Sequence, residues 1–400
     1  MSQRPSLKRP TVAVIGTGYV GTHLIEVFAS QYQTLGFDIS QKRINEIHEQ
    51  FGLNERVELT CDVGRLASAT HYLISVPTLL LPDKSIDSSY LRAAISTVSE
   101  YARPGATIVV ESSVAVGMTR ELLGPIALRN NCFVGMSPER VDPGRTIPAA
   151  HQIPKIVSGL DDVVPGSLAS ITKLYEQVFD RVVPVSKPEV AEMTKLYENC
   201  QRMMCIAYAN EMANACEAHE IDPYEVCDAA ASKPFGYMPY SPGLGVGGHC
   251  IPVNPYYLLS NNSFPLLQAA TEAMWQRPLD IATDCLSELQ SHESQSMKAE
   301  HQRRILVVGV GFKPGQSTLS NSPGLALMRG LVESGYAQVD FSDTMVTQDM
   351  VPWAPRLDDA EWTLMGLEQY DMVIVAMRQV GHDFSLLESL QGPLVKFVCR

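Results

Sequence analysis

The first half of the chain alternates short apolar runs with amphipathic stretches. TVAVIGTGYVG at 11–21 is a β-rich run that ends in a glycine turn, and HLIEVFAS after it has a helical pattern. Similar strand-like runs follow at LGFD, HYLISVPT, ATIVVESS, CFVGMSPE, KIVSGL and VVPVS. Strands that alternate with helices predict a parallel sheet covered on both faces. We therefore expect a Rossmann-like first domain over residues 1–186.

The pattern changes from residue 190 onwards. No Gly or Pro occurs between Val190 and Ile221, and Ala, Met, Glu and Leu dominate there. This composition predicts one helix of roughly 30 residues, which is long enough to serve as a dimer seam. Further helical stretches follow to about residue 290, so we expect a central helical domain over 187–295.

A second strand–turn unit begins at RRILVVGVGFKPG (303–315), and VDFSD and YDMVIVAM predict further strands. The polar stretch SHESQSMKAEHQ (291–302) before it is expected to be a linker or a helix end. The predicted fold class is therefore α/β, with two Rossmann-like domains, 1–186 and 296–400, joined by the central helical domain with its long helix.

Charge and cysteine usage narrow the class of protein. Lys and Arg total 31 against 44 Asp and Glu, and a net charge of −13 argues against nucleic-acid and anionic-membrane partners. The amino-terminal stretch lacks the pattern of a signal peptide, and no apolar run has the length of a membrane helix, so we expect a cytoplasmic protein. Nine cysteines without a C-x-x-C pair indicate neither a disulfide framework nor a metal site.

GTGYVG has the spacing of a dinucleotide-binding turn. Gly16 would allow the turn, Gly18 the approach of a pyrophosphate, and Gly21 the close packing of the following helix. Asp38, after the next strand, would accept hydrogen bonds from ribose hydroxyls and repel a 2′-phosphate, which favours NAD over NADP. A purely structural turn is the alternative, but the strand, the helix and the acid are all in place. The expected NAD contacts also include Tyr19, Val20, Arg43 and Pro77.

Two motifs with charged residues each have a plain structural alternative. Glu139 in SPERVDPG follows a strand and can act as a general base if its pKa is raised, or it can be a surface residue paired with Arg140. Lys195 and Asn199 in AEMTKLYEN share one helix face. Taken alone, however, this motif favours an exposed pair between Lys195 and Glu192.

Three loops carry less specific signals. Ser112 and Ser113 follow a strand, where ligands bind in open sheets, but either hydroxyl can cap a helix instead. Lys313 follows a glycine turn that lacks a third glycine, and it is either a phosphate ligand or a solvated lysine. GLGVGGHCIPVN (243–254) surrounds Cys250 with glycine, which suits either a nucleophile or an ordinary small residue beside a turn.

Together, and in this order, these motifs resemble the UDP-glucose/GDP-mannose dehydrogenase family. The resemblance covers almost the whole chain, and its spelling is most similar to the branch that oxidises UDP-N-acetylglucosamine or UDP-N-acetylmannosamine. It is carried by GTGYVG, SVPT, ESSVAVG, SPERVDPG, IPKIVSG, AEMTKLYEN, NEMANACE, PFGYMPYSPGLGVGGHCIPVNPYYL, and GVGFKPG with NSPGLAL.

The resemblance implies an NAD domain, a helical dimerising middle, a nucleotide-sugar domain and a homodimer. It implies oxidation of the C6 alcohol of a UDP-sugar, first of all UDP-N-acetylglucosamine, to a carboxylate with two NAD. Cys250 would trap the aldehyde as a thiohemiacetal that is oxidised to a thioester. Glu139 would act as base in hydrolysis, Lys195 and Asn199 would stabilise the oxyanion, and Lys313 would hold the diphosphate.

The rest of the expected site comes from the same resemblance. Gly247, Gly248 and His249 would bind the sugar beside the sulfur, and Ser113 and Asn254 would complete the catalytic set. Members of the family usually have Thr in place of Ser113 and Asp in place of Asn254.

Asn254 and Ser320 are the departures that bear on activity. Asn254 can hydrogen-bond but cannot take a proton, so thioester hydrolysis is expected to be slow. Ser320 stands where the family usually has an Arg that reaches NAD, a charge-assisted contact worth about 1.5–3 kcal/mol. A weakened relative that only binds NAD or nucleotide sugar is thus one alternative, and a β-hydroxyacid-type dehydrogenase is another. Retention of Cys250, Lys195 and Glu139 favours an active nucleotide-sugar dehydrogenase.

Overall fold

The structure is a computed structural model that describes residues 10–142, 144–293 and 302–399. The chain divides into two compact units, which are described separately. The first unit comprises Met1–Glu198 and Tyr256–Asn262, and the second comprises Asn199–Pro255 and Ser263–Arg400. The predicted division into three domains stays a prediction.

An eight-stranded sheet forms the centre of the first unit, and two further strands pair as a separate antiparallel ribbon. The strands are β1 Thr11–Ile15, β2 Gln33–Phe37, β3 Val57–Thr60, β4 His71–Ile74, β5 Leu79–Leu80, β6 Ile86–Asp87, β7 Thr107–Val110, β8 Phe133–Met136, β9 Lys155–Gly159 and β10 Val182–Pro184. The order in the sheet is β10-β9-β8-β7-β4-β1-β2-β3, and β5 and β6 form the ribbon. Strands β1, β4, β7 and β8 are almost wholly buried, because apolar clusters lie on both faces of the sheet.

Helices follow most of these strands, as the alternating pattern predicts. They are α1 Tyr19–Ala29, α2 Gln41–Phe51, α3 Ser89–Tyr101, α4 Met118–Asn130 and α5 Ser167–Tyr175. The Rossmann-type arrangement expected for this part of the chain is confirmed.

The prediction of a wholly parallel sheet is wrong at one edge. β9 runs antiparallel to β8, with Gly135 opposite Gly159, and β10 then pairs parallel to β9. A parallel neighbour needs a crossover connection, usually a helix, but the described part of the loop between these strands contains just one short 3-10 helix, Ala150–Gln152. The chain therefore turns back along the sheet edge.

The long helix predicted from residue 190 is confirmed. Helix α6 covers Pro188–Glu217, which is 30 residues, and the boundary between the two units falls within it, after Glu198. It begins at a proline, which suits the first turn because the missing N–H has no partner there in any helix.

The described residues between α6 and the next sheet form three more helices: α7 Pro223–Ala231, α8 Asn254–Leu259 and α9 Pro265–Glu293. Helix α9 has 29 residues and contains Pro278, a residue that the sequence pattern would place at a helix end. The predicted linker at 291–302 lies mostly outside the described residues.

The last part of the second unit contains a four-stranded parallel sheet with its helices. The elements are β11 Arg304–Val308, α10 Pro323–Glu333, β12 Gln338–Ser342, α11 Leu364–Leu367, β13 Met372–Val375, α12 Ser385–Glu388 and β14 Leu394–Phe397. The strands lie in the order β12-β11-β13-β14. Helix α10 packs so closely on α9 that a Cβ at Gly330 would lie 3.1 Å from the Cβ of Ala282. None of the described helices has the length and apolarity to cross a bilayer.

Candidate active site

The first glycine turn has the geometry of a dinucleotide site. Gly16 has φ +88°, which favours glycine, and a Cβ on Gly21 would lie 1.9 Å from the carbonyl oxygen of Gly16. A Cβ on Gly18 would meet no atom within 4 Å, so the space before the start of α1 is open. The turn therefore presents the positive end of a helix to an open surface where a pyrophosphate fits.

Asp38 and Arg43 fix this turn from the second strand and its helix. Oδ2 of Asp38 accepts hydrogen bonds from the amide and hydroxyl of Thr17, at 2.8 and 3.1 Å. Arg43 Nε donates to the carbonyl oxygen of Thr17 at 2.8 Å. Both residues thus lie at the glycine turn, as expected, with Asp38 half-buried at the carboxyl end of β2.

The remaining expected NAD contacts lie at the same edge of the sheet. Tyr19 opens α1 and is exposed, Val20 is half-buried, and Pro77 is exposed after β4. Ser75, which the sequence pattern does not single out, donates from its hydroxyl to the carbonyl oxygen of Gly16 at 2.8 Å. Ser75 directly follows β4, which pairs with β1, and this position next to the glycine turn is the sequence feature that could have predicted the contact.

The two serines after β7 have different environments. Ser112 is buried and its hydroxyl donates to the carbonyl oxygen of Val76 at 2.6 Å, so it serves the fold. Ser113 is half-buried, and its carbonyl oxygen accepts a hydrogen bond from Thr78 Oγ1 at 2.8 Å. The helix-capping alternative is wrong for α4, because Gly117 is its N-cap and Glu192 binds the amides of its first turn.

Glu139 is held firmly after β8. Its Oε1 accepts hydrogen bonds from the backbone amides of Arg140 and Val141, both at 2.6 Å. Burial raises the pKa of Glu139, but Lys155, Lys195 and the two amides outweigh burial and leave that pKa below its ordinary value. The carboxylate is therefore an anion at neutral pH, and the raised pKa expected of a general base is not found.

The alternative of a surface ion pair between Glu139 and the Arg140 side chain is wrong. The Arg140 guanidinium instead contacts both carboxylate oxygens of Glu198, one at 2.6 Å and the other at 3.3 Å.

A fully buried carboxylate lies beside the half-buried Glu139. Glu111, directly after β7, is fully buried and accepts hydrogen bonds from Lys155 Nζ, at 2.6 Å, and from the Tyr175 hydroxyl. Lys155 Nζ is also 3.6 Å from Oε2 of Glu139. Glu111, Lys155 and Tyr175 come from separate segments of the chain, so no local sequence pattern predicts that they meet.

Lys195 is part of the same region of the first unit. It is 5% exposed, and its Nζ donates to the backbone carbonyl oxygen of Glu139. The alternative of an exposed pair with Glu192 is wrong, because Glu192 is 1% exposed and its carboxylate accepts from the amides of Gly117 and Thr119. The structure thus brings Lys195 and Glu139 together.

Asn199 and Asn254 meet in the second unit. Both are buried, and Asn199 Nδ2 donates to Asn254 Oδ1, while Arg202 donates to Asn199 Oδ1. Arg202 was missed, although it lies three residues after Asn199 on the same helix face. Asn254 is also tied to Cys250, whose carbonyl oxygen accepts the Asn254 amide at 2.9 Å.

The loop that carries Cys250 is anchored at its start by two helices. The amide of Gly243 donates to Asn210 Oδ1 at 2.9 Å, and its carbonyl oxygen accepts from Arg277 Nε at 2.9 Å. Asn210 lies on α6 and Arg277 on α9. Cys250 itself is half-buried, and it precedes α8 by one turn.

The glycines before Cys250 are packed against their own chain. A Cβ on Gly247 would lie 2.6 Å from that of Phe312, and a Cβ on Gly248 would lie 2.9 Å from the Phe312 ring. His249 is exposed beside them. The absence of side chains at the two glycines therefore serves close packing of the 312–323 segment, and their contact with a sugar stays a prediction.

The second glycine turn repeats the first with one change. Gly309 has φ +79°, and Gly324, at the start of α10, approaches the turn so closely that its Cβ would lie 3.1 Å from the carbonyl oxygen of Gly309. Gly324 thus takes the place of the third glycine, the one that allows close helix packing and that the local sequence GVGFKPG lacks. The acid at the end of β12, Asp343, is fully buried and accepts hydrogen bonds from the amides of Val310, Gly311 and Met345 and from Gln379 Nε2.

Lys313 lies in the loop between this turn and α10, and it is half-buried. Among the described residues, no group of His, Cys, Asp and Glu is arranged to hold a metal ion.

Comparison with known proteins decides the family. The model for the NAD binding domain of the UDP-glucose/GDP-mannose dehydrogenase family matches residues 10–179, and that for its central domain matches residues 189–273. A UDP-N-acetyl-D-glucosamine 6-dehydrogenase of Salmonella typhi is 36% identical, over 93% of this chain and 90% of its own length. The chain belongs to the UDP-glucose/GDP-mannose dehydrogenase family.

Two further relatives support this membership. A UDP-N-acetyl-D-mannosamine dehydrogenase of Pyrococcus horikoshii is 31% identical over 97% of this chain and 98% of its own length. The structure of a UDP-D-ManNAc dehydrogenase from P. horikoshii has a TM-score of 0.84 at 26% identity, and covers 97% of this chain and 99% of that one.

Membership of the dehydrogenase family identifies NAD as the cofactor of residues 10–179. The open space at Gly18 and the acid at the end of β2 fit that cofactor. Asp38 would hold the ribose and α1 the pyrophosphate.

Proposed function

We propose that this protein oxidises the C6 alcohol of a UDP-sugar, first of all UDP-N-acetylglucosamine, to the uronate with reduction of two NAD. Relatives named for UDP-N-acetylglucosamine and for UDP-N-acetylmannosamine support the substrate class. Glu139 carries the proposal, because its half-buried anionic carboxylate can take a proton from water, and the Lys195 ammonium on its backbone carbonyl supplies a positive charge for an oxyanion.

NAD, when bound, supplies the hydride acceptor for both oxidations. After the first, the Cys250 sulfur bonds to the aldehyde carbon and the carbonyl oxygen takes a proton, which gives a thiohemiacetal. Loss of a hydride and of that proton turns the adduct into a thioester. Covalent attachment keeps the aldehyde from escaping between the two oxidations.

Hydrolysis completes the reaction. Glu139 takes a proton from water as the oxygen bonds to the thioester carbon, and Lys195 and Asn199 stabilise the oxyanion. The carbon–sulfur bond then breaks, and Cys250 leaves as a thiolate that regains its proton. The low pKa of Glu139 makes it a weak base, and Asn254 cannot assist, so we expect this step to limit turnover.

Incubation with NAD and a panel of UDP-sugars tests this proposal. Two NADH per sugar, with one member of the panel, is the expected result. Cys250→Ser should stop carboxylate formation while NAD binding, read by fluorescence, is unchanged. Uronate formed by Cys250→Ser at the wild-type rate would show that the sulfur is not the nucleophile.

A weakened relative is the second candidate, and Asn254 is the observation that favours it. This candidate predicts that NAD or UDP-sugar binds without sustained NADH formation. A single-turnover burst that stalls would locate the defect in thioester hydrolysis.

We also propose a homodimer that forms along α6. Met193, Tyr197, Tyr208 and Met212 are 36–71% exposed, and their spacing places them on one face of the helix. Light scattering of Tyr208→Glu, against wild type, tests this: a monomer supports the seam, and an unchanged dimer contradicts it. A cytoplasmic location stays a prediction.

A further inference from the structure

Three polar groups from three elements meet in the interior of the first unit. Glu111 follows β7, Lys155 opens β9, and Tyr175 ends α5, and the exposure of each is at most 3%. A buried ion pair is generally no more stable than well-packed apolar residues of similar volume. The group therefore needs a reason beyond stability.

That reason lies in what the ammonium of Lys155 faces. Its Nζ donates to Oε2 of Glu111 at 2.6 Å and to the carbonyl oxygen of Pro138 at 3.3 Å. It also lies 3.6 Å from Oε2 of Glu139. The other oxygen of Glu139 is bound by two amides, and the ammonium of Lys155 faces the remaining oxygen at ion-pair distance.

We propose that Lys155, held by Glu111 and Tyr175, is a positioning residue that orients the Glu139 carboxylate and tunes its basicity. This inference rests on the proposed role of Glu139 as base. Lys155 acts through Glu139, and it need not touch the substrate.

The unequal distances explain why two acids share one lysine. An ammonium paired with Glu139 alone would hold that carboxylate so strongly that it would accept a proton poorly. Glu111 lies 1 Å closer to Nζ than Glu139 does (3.6 − 2.6 Å), so above about pH 7, where Glu111 is ionised, it takes the larger part of the attraction. The Tyr175 hydroxyl fixes the other oxygen of Glu111, which keeps this division of charge in place.

Any pH dependence of Glu139 involves all groups that face it. Removing Lys155 removes one of the positive charges that lower its pKa, so that pKa must rise. The facing groups are Lys155 on β9, Lys195 on α6, Glu111 after β7, Tyr175 on α5 and Tyr19 on α1.

The test uses the double variant Glu111→Gln/Lys155→Met, which removes the ammonium together with the acid that pairs with it. Because Glu139 titrates below the pH at which Glu111 ionises, only the loss of the Lys155 charge acts on its midpoint. Arg304→Met/Asp340→Asn is its matched control, because Asp340 similarly binds an arginine at 2.7 Å and the Tyr370 hydroxyl at 2.9 Å in the second unit. Lys155→Arg is the conservative variant. Carbon-13 titration of the Glu139 carboxyl, assigned with Glu139→Gln, reads basicity without requiring activity.

We expect the midpoint of the Glu139 titration to rise by about one pH unit in the double variant. Lys155→Arg and the control should keep the wild-type midpoint. When each protein is supplied with NAD and the UDP-sugar, the acid limb of the pH–rate profile of thioester hydrolysis should lie at higher pH in the double variant than in wild type. Lys155→Arg and the control should keep the wild-type acid limb. A folded double variant with the wild-type midpoint would overturn the proposal.

Failure of the proposed function gives a different result. If Glu139→Gln hydrolyses the thioester as fast as wild type, Glu139 is not the base and the positioning role falls with it. If Glu139→Gln is inactive while the double variant keeps both the midpoint and the acid limb, only the role of Lys155 is wrong.

Discussion

Asn321 Nδ2 donates to the carbonyl oxygen of Gly248 at 2.9 Å, two residues before Cys250. The amide of Gly248 in turn donates to the carbonyl oxygen of Ser320 at 2.8 Å. Both backbone polar groups of Gly248 are thus fixed by one short stretch of the 312–323 segment. This stretch includes Ser320, the position at which we expect members of the family to have an Arg.

Removing the Asn321 side chain should loosen the cysteine loop. Asn321→Ala loses one hydrogen bond, worth about 0.5–1.5 kcal/mol, so alkylation of Cys250 should accelerate roughly 2- to 10-fold. Peptide mass spectrometry after iodoacetamide treatment measures this rate. Asn45→Ala, an exposed position on α2, should leave it unchanged. Equal alkylation rates for Asn321→Ala and wild type would mean that the loop is held by other contacts.

Gly18 and Gly21 should respond differently to alanine. Gly21→Ala places a Cβ 1.9 Å from the Gly16 oxygen, so the free energy of unfolding should fall by about 1–3 kcal/mol or more. Gly18→Ala meets no protein atom within 4 Å and should keep its stability. Its Kd for NAD should rise about tenfold, because the methyl group fills the space before α1. Denaturant unfolding and NAD titration of both variants separate the two effects, and equal stability of the two would contradict the assignment.

Asn254→Asp should speed thioester hydrolysis. Aspartate keeps the acceptor for Asn199 Nδ2 and adds a charge beside the Asn199–Arg202 pair. The steady-state rate should rise about tenfold if a proton acceptor is what this step lacks. Stopped-flow NADH formation should lose its stall after the first turnover, and Asn254→Ala, which removes the acceptor, should keep it. A slower Asn254→Asp would mean that the site is adapted to an amide.

Glu111 should make stability fall as pH rises. Burial raises the pKa of Glu111 to about 7 against the opposing attraction of Lys155, so between the unfolded and folded pKa values the unfolded state is ionised and the folded state is not. The folded state then binds more protons, and this group's contribution should fall on the order of 3 kcal/mol between about pH 4.5 and 7. Denaturant unfolding of wild type and Glu111→Gln at both ends checks this. The same pH slope in both proteins would rule out Glu111 as the source.

Local patterns predicted the elements and the first glycine turn, because strand, turn and helix are written in consecutive residues. The antiparallel β9 was not predictable, because no residue of KIVSG specifies the direction in which the chain returns. The environment of Glu139 depends on Lys155 and Lys195, and the packing of Gly247 depends on Phe312, 65 positions away. Such pairs are brought together by tertiary structure, and a single sequence does not show which distant residues meet.

Asp38 and Asp343 occupy equivalent places at the ends of the second strands of their sheets, yet substitutions there have different meanings. Asp38 is half-buried, binds Thr17 and belongs to the turn that leaves open space at Gly18, so we expect its replacement to be read in cofactor affinity as well as in stability. Asp343 is fully enclosed and closes its own turn, so its replacement is read in the amount of folded protein. Loss of activity on mutating either acid therefore carries no common interpretation, and mutational data from one glycine turn cannot be transferred to the other.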